Sequence, residues 1–358
     1  MTESLVITPP RTATDVDAIL IVSFGGPEGM DDVMPFLENV LRGRNVPRQR
    51  MIEVSHHYER FGGVSPLNGQ NRALIAALRQ ELDAHDIALP IYWGNRNWHP
   101  MLADTLRQMK ADGIGHALAF FTSAYSSYSG CRQYRENIAA AQSEVGEGAP
   151  QVSLLRKFYN HPGFVGPNAD LVREAMGQLP ADRRGTAHVA FTAHSIPLAM
   201  ATGCNYAAQL TDTCGLIAEA VGIAHWQLVY QSRSGPPSQP WLEPDILDHL
   251  RALHGRGVRD VVIAPVGFVS DHMEVLYDLD TEAKDLAAEL GMTLVRAKTV
   301  GTHPAFVAMI RQLIVERMTG GERPFMGSRG PSHDVCPVDC CTMARPQGLP
   351  LQRQASGA

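Results

Sequence analysis

Three features of this 358-residue chain predict an α/β fold built from two four-stranded parallel-sheet units flanked by helices. Eight short apolar runs recur along it, and they are continuous rather than alternating, as strands buried on both faces are. Longer helix-compatible stretches separate most of these runs, which is the βαβ pattern of a parallel sheet. The most distinctive polar loops follow directly on the runs, and open α/β sheets place their sites there.

In order, the runs lie at 18–23, 90–93, 117–121, 152–155, 188–191, 227–230, 260–264 and 293–295. Helix-compatible stretches between them include 71–84 and 280–290. Residues 1–16 are polar and Thr/Pro-rich, lack the apolar core of a secretory signal, and read as a disordered leader. The first domain takes 17–160, together with 301–319, whose helix packs back on it. The second domain takes 161–300, with the junction near His161-Pro-Gly. Residues 320–358 are rich in Gly, Pro, Ser and Arg and are expected to be mostly irregular, with cysteines the only cause of order there.

A net charge of -6 argues against a nucleic-acid binder, which would be basic. No run of about eighteen apolar residues exists to span a membrane. Six cysteines over this length do not form a disulfide scaffold. Three of them crowd into Cys336-Pro-Val-Asp-Cys340-Cys341 and read as metal binding in a reducing cytosol, so the protein is expected to be cytoplasmic.

Two segments carry the strongest chemical signal. Phe191-Thr-Ala-His194-Ser-Ile-Pro197 sets a histidine in a loop just after an apolar run. A lone histidine there is more often a satisfied strand-end residue, but a complementary acidic partner exists. Glu274, Asp278 and Glu282 stand at i, i+4 and i+8, so a helix lines them on one face. Such charges are usually a solvated face, yet no lysine or arginine interrupts this row before Lys284. Stacked carboxylates repel unless a cation visits. A neutral imidazole opposite them can take protons, and the row can pass along a hard divalent cation. Arginines at 42, 44, 48 and 50 precede Tyr58-Glu-Arg60-Phe61-Gly-Gly, a combination suited to a flat apolar ligand with carboxylates. Phe24-Gly-Gly-Pro27 lacks both the dinucleotide fingerprint and the P-loop lysine, which sets nucleotide binding aside.

Six ordered motifs between Asp17 and Thr319 add a resemblance. Leu20-Ile-Val-Ser-Phe-Gly-Gly-Pro27, Phe61-Gly-Gly-Val-Ser-Pro66, Thr192-Ala-His-Ser-Ile-Pro197, Tyr230-Gln-Ser-Arg-Ser-Gly-Pro236, Trp241-Leu-Glu-Pro244 and Gly267-Phe-Val-Ser-Asp-His-Met-Glu274 together resemble the ferrochelatases. The resemblance implies two Rossmann-like (type II chelatase) domains around a porphyrin cleft. It also implies insertion of Fe²⁺, as substrate, into a porphyrin in haem biosynthesis, with coproporphyrin III favoured over protoporphyrin IX. His194 and Glu274 match the family's metal-site pair, Asp278 and Glu282 its acidic ridge. Ser65, Tyr128, Arg42 and Arg44 match porphyrin-contacting positions. Phe24 stands where some relatives carry a tyrosine able to ligate the inserted iron, so axial ligation or iron release differs here. Cys131, with Cys336, Cys340 and Cys341, matches the ligand set of a [2Fe–2S] cluster. Structural zinc with His333 in place of one thiolate competes with that reading, and Cys204 competes with Cys131. Cys214 reads as a small buried hydrophobe. Expected partners are the porphyrin, ferrous iron and transient contacts with neighbouring haem-pathway enzymes. Two other readings stay open: a sister chelatase that places cobalt or nickel in a reduced tetrapyrrole, and a non-catalytic haem or iron–sulfur sensor.

Overall fold

The computed structural model describes residues 15–43, 46–236 and 238–343. One parallel sheet contains β1 (Ala18–Ser23), β2 (Ile91–Asn95), β3 (His116–Phe121) and β4 (Gln151–Leu154), in the order β2-β1-β3-β4. The other contains β5 (His188–His194), β6 (Trp226–Gln231), β7 (Asp260–Ala264) and β8 (Thr293–Arg296), in the order β6-β5-β7-β8. Central strands β1, β3 and β7 are buried along their whole length, which is why their sequences are unbroken apolar runs. Edge strands β4 and β8 are only half-buried.

Twelve helices cover the sheets among the described residues. Those of the first unit are α1 (Met30–Val40), α2 (Arg48–Glu59), α3 (Pro66–Asp83), α4 (Leu102–Ala111) and α5 (Gln133–Val145). Next come α6 (Pro162–Gly177), α7 (Leu198–Ala201), α8 (Tyr206–Val221), α9 (Ile246–Gly255), α10 (Met273–Tyr277), α11 (Lys284–Glu289) and α12 (Pro304–Thr319). The start of α3 is written in sequence: Ser65 accepts from the Leu67 N–H, and Pro66 follows with its φ already helical. Leu74, Leu78 and Leu82 then recur every four residues and bury one stripe.

One core joins the two sheets. Ile19 and Ile21 of β1 share it with Val189 and Phe191 of β5, and with Phe158, Phe164 and Phe306. Phe158 stacks on Phe120 at 5.1 Å and meets Phe164 edge-on at 5.4 Å between centroids. Burying each such ring stabilises the fold by about 1.5–3 kcal/mol. The outer faces have their own cores, under α4 and α5 on one sheet and under α9 to α11 on the other. A small satellite gathers Val33, Phe36 and Leu37 of α1 with Tyr58 of α2, and Met273 of α10 inserts into it from the second sheet's side. Helix α12 packs against both α3 and α6, so it braces the two units together.

Three expectations change. The strand β5 runs through His194, so this histidine ends a strand instead of sitting in the loop behind it. The acidic row is not on one continuous α-helix. A π-helical turn, Asp278–Ala283, separates α10 from α11. The segment 320–343 is irregular, as expected, but cysteines are not its only anchor. Arg323 donates to the Ser332 carbonyl and pairs with Glu316, itself in a buried ion pair with Arg156 at 2.7 Å. Asn160 donates to the carbonyls of Met326 and Gly330.

Candidate active site

The loops beyond β5, β6 and β7 converge. Gly267 follows β7 so close to β5 that a Cβ on it would lie 2.6 Å from the Ala193 Cα. That contact keeps the strand-end loop, and α10 after it, beside His194. The His194 main-chain carbonyl accepts from the Tyr206 hydroxyl of α8 at 3.0 Å. Its Nδ1 bonds the Ser195 carbonyl. A carbonyl only accepts, so Nδ1 carries the proton and Nε2 presents its lone pair. That lone pair faces Glu274 Oε2 at 3.5 Å. Two lone-pair-bearing groups facing each other this closely are reconciled by a shared cation, either a proton or a metal ion.

His272 completes the group, and sequence reasoning missed it. Its Nδ1 accepts from the Glu274 N–H at 3.2 Å and lies 4.0 Å from Glu274 Oε2. Burial lowers its pKa, offset in part by Glu274 and reinforced by the nearby His194. The available signal was its place two residues before Glu274 in the same motif.

Behind Glu274 the carboxylates continue into a cavity of 160 Å³. Asp278 and Glu282 line it, together with Gln231, Ser232 and a carboxylate the sequence did not single out, Asp245. Burial pushes Asp278 up to about 7; hydrogen bonds from Ser232 and Gln231 oppose this, while Glu274 and Glu282 add to it. Burial, then the Asp245 charge, also raise Glu282, and Arg60 counters them. Gln231 donates its Nε2 to Asp278 at 3.3 Å, while its buried Oε1 has no partner among the described residues. A larger cavity of 570 Å³ opens between α3 and β2, lined by Arg72, Arg79 and Trp93. Arg72 is already paired with Glu28, and Arg79 with the carbonyls of Ile87 and Leu89, so that cavity offers little chemistry.

On the first unit, Phe24 is 38% exposed just beyond β1 and meets Phe36 edge-on at 6.3 Å. Ser65 is buried as the α3 cap, against a glycine: a Cβ on Gly26 would stand 2.7 Å from its side chain. Arg42 is exposed after α1, and Arg44 lies outside the described residues. Tyr128 donates its hydroxyl to Glu136 at 3.0 Å and opens a second π-helical turn, Tyr128–Arg132. That turn carries Cys131 and places Tyr128 beside the cysteines.

The four expected cysteines do come together. Cys131 Sγ lies 4.0 Å from Cys336 Sγ, and Cys340 Sγ lies 3.6 Å from Cys341 Sγ. Hydrogen bonds with Cys336 and Cys341 hold the Cys131 thiol far below its usual range, with help from Lys157 and Arg135. Arg132 and Arg135 donate to the Cys340 carbonyl at 3.3 Å and dock the tail on this turn. Four converging sulfurs with a favoured thiolate suit iron–sulfur or zinc ligation chemically. His333 Nε2 lies 3.9 Å from Cys340 Sγ, and His333, Cys336 and Cys340 form a compact donor trio. Cys204 instead turns its thiol to the carbonyls of Met200 and Ala201, and Cys214 is fully buried with its thiol pKa raised.

Comparison with known proteins follows the same lines. The ferrochelatase family profile matches residues 16–318. A ferrochelatase of Rhodopirellula baltica is 60% identical over 343 residues, covering 94% of this chain and 97% of that protein. The coproporphyrin III ferrochelatase of Streptomyces coelicolor is 53% identical over 359 residues, covering 94% and 96%. Among solved structures, SirB from Bacillus subtilis with Fe³⁺ superimposes with a TM-score of 0.53 at 14% identity, over 84% of this chain and 96% of that one. Likeness at that level is one of fold, here the type II chelatase arrangement of two parallel sheets.

Proposed function

The chain belongs to the ferrochelatase family, whose reaction is the insertion of ferrous iron into a porphyrin in haem biosynthesis, and we propose that its macrocycle is coproporphyrin III. Two Streptomyces relatives at 53% identity bear that substrate in their names. The observation that carries the site assignment is the facing of His194 Nε2 and Glu274 at 3.5 Å, with further carboxylates leading away behind them. Metallation exchanges two pyrrole protons for one Fe²⁺. His194, with its Nε2 lone pair directed at the site, takes a proton, and the imidazolium formed is held by Glu274. Asp278 and Glu282, with Asp245 beside them, receive the hydrated Fe²⁺ or the departing protons. Hard carboxylate oxygens suit that task, and they leave the ion mobile.

Phe24 and Ser65 line the first-unit side of the ring site, and Arg42, Arg44 and Tyr128 are the candidates for its carboxylate rim. Phenylalanine offers no axial oxygen to the inserted iron. The cleft lies between domains of residues 17–160 with 301–319, and 161–300. Cys131, Cys336, Cys340 and Cys341 are assigned to a [2Fe–2S] cluster, apart from the insertion chemistry, and cysteines used as metal ligands fit a cytoplasmic location. Zinc on His333, Cys336 and Cys340 is the competing occupant that the 3.9 Å His333–Cys340 approach favours.

Anaerobic competition decides the substrate. With Fe²⁺ and equal coproporphyrin III and protoporphyrin IX, the former should be metallated first; the reverse preference would overturn the assignment, and metallation of neither would overturn the site. A red-brown protein bleached by dithionite supports the cluster, whereas a colourless one with a zinc ion per chain eliminates it.

A further inference from the structure

We propose that Lys157 is the built-in counter-ion of the four-cysteine centre: it ligates nothing, and it balances the negative charge of the ligands. The proposal rests on reading Cys131, Cys336, Cys340 and Cys341 as one metal-holding centre. Lys157 is only 8% exposed. Lysines are almost never buried so far unless paired. Its Nζ donates to the carbonyls of Ser123 and Gly130, both at 2.7 Å, and lies 5.4 Å from the Phe121 ring centroid. These contacts engage two of its three N–H groups but do not cancel its charge. Among the described residues, no carboxylate forms an ion pair with it. Its counter-charge is then sought in the centre itself: Cys131 directly follows Gly130, whose carbonyl holds Nζ.

Neutral thiols would not offset the cost of burying an ammonium group, whereas metal-bound thiolates would. The same hydrogen bond that seats Nζ on Gly130 fixes the residue before Cys131, so charge and ligand are positioned by one contact. Arg132 and Arg135 also approach the centre, but Arg132 is partly exposed and paired with Glu136. Lys157 is the desolvated cation, and its field is screened least by salt.

The test compares full-length wild type, Lys157→Gln and Lys157→Met, purified anaerobically with their bound metal. Glutamine keeps a donor for one of the two carbonyls, so it separates charge from hydrogen bonding. Loss of the metal to an excess of chelator should be about tenfold faster or more in both variants, as expected when a unit charge held on the turn that carries Cys131 is removed. If the centre is redox-active, its potential should move to more negative values, because an added electron meets one fewer positive charge. A purely structural lysine would leave that potential in place. Variants with native circular dichroism, unchanged release and unchanged potential would remove the role of Lys157 and leave the cysteine centre standing. Wild type that binds no iron–sulfur cluster and no zinc at these cysteines would remove both. Should Lys157→Met fail to fold, Lys157→Gln decides alone.

Discussion

His194 is the residue on which the proposed chemistry turns, and its geometry makes a direct forecast. Replacing it with alanine leaves the Tyr206 bond intact, because that bond reaches the main-chain carbonyl. His194→Ala should therefore fold normally and lose on the order of 10²–10⁴ in insertion rate. Initial rates of anaerobic metallation on protein of native circular dichroism check this; near-normal turnover would refute the role. Asp278 supports a second forecast, on pH. Burial raises its folded pKa from the ordinary carboxylate range to about 7, so the folded state holds this proton more tightly than the unfolded chain does. The stabilisation is present in full at acid pH and is lost as pH rises through about 7. Asp278→Asn should flatten that fall, measured as thermal midpoints between pH 5 and 8. Parallel pH curves for the two proteins would show that Asp278 titrates normally.

At the scale of elements, the π-helical turn Asp278–Ala283 separates two jobs that the i, i+4, i+8 spacing had merged. Glu274, on α10, faces His194, whereas Asp278 and Glu282 turn to the cavity shared with Asp245. Glu274→Gln should thus cut turnover strongly at any iron concentration. Glu282→Gln should act more mildly and raise the iron concentration needed for half-maximal rate. Saturation curves in Fe²⁺ distinguish the two, and equal iron dependence in both would end the relay idea. The elements themselves were legible where burial dictates composition. Strands β1 and β7 begin and end at the expected residues, because apolar runs are local signals. Neither π turn was legible, since one extra residue in a helical turn answers to what packs around it. His194, Glu274 and the cysteines could be read from motif and spacing. Asp245 and Lys157 could not, because tertiary packing brings them to their sites from distant elements.

For the whole molecule, two sheets do not mean two independent folding units. Ile19, Ile21, Val189 and Phe191 share one core, and α12 braces both halves. Heating should give a single calorimetric transition, with calorimetric and van't Hoff enthalpies equal; two resolved transitions would contradict the shared core. The halves are joined unequally around the proposed cleft. On one side the Tyr125 hydroxyl donates to the Val266 carbonyl at 2.9 Å, and Gln209 and Ser126 exchange two hydrogen bonds. On the other, α2 meets α10 through the His57–Tyr277 ring stack at 3.7 Å and the seat of Met273 in the satellite core. The first side is a rivet and the second a clasp. A flat macrocycle that must be gripped and then let go needs one jaw that yields. On this side the α1–α2 pair meets α10 through few groups, namely the His57–Tyr277 stack, Arg60 at 6.0 Å from the same Tyr277 ring and Met273, so it is the better candidate for the yielding jaw while the common core stays shut.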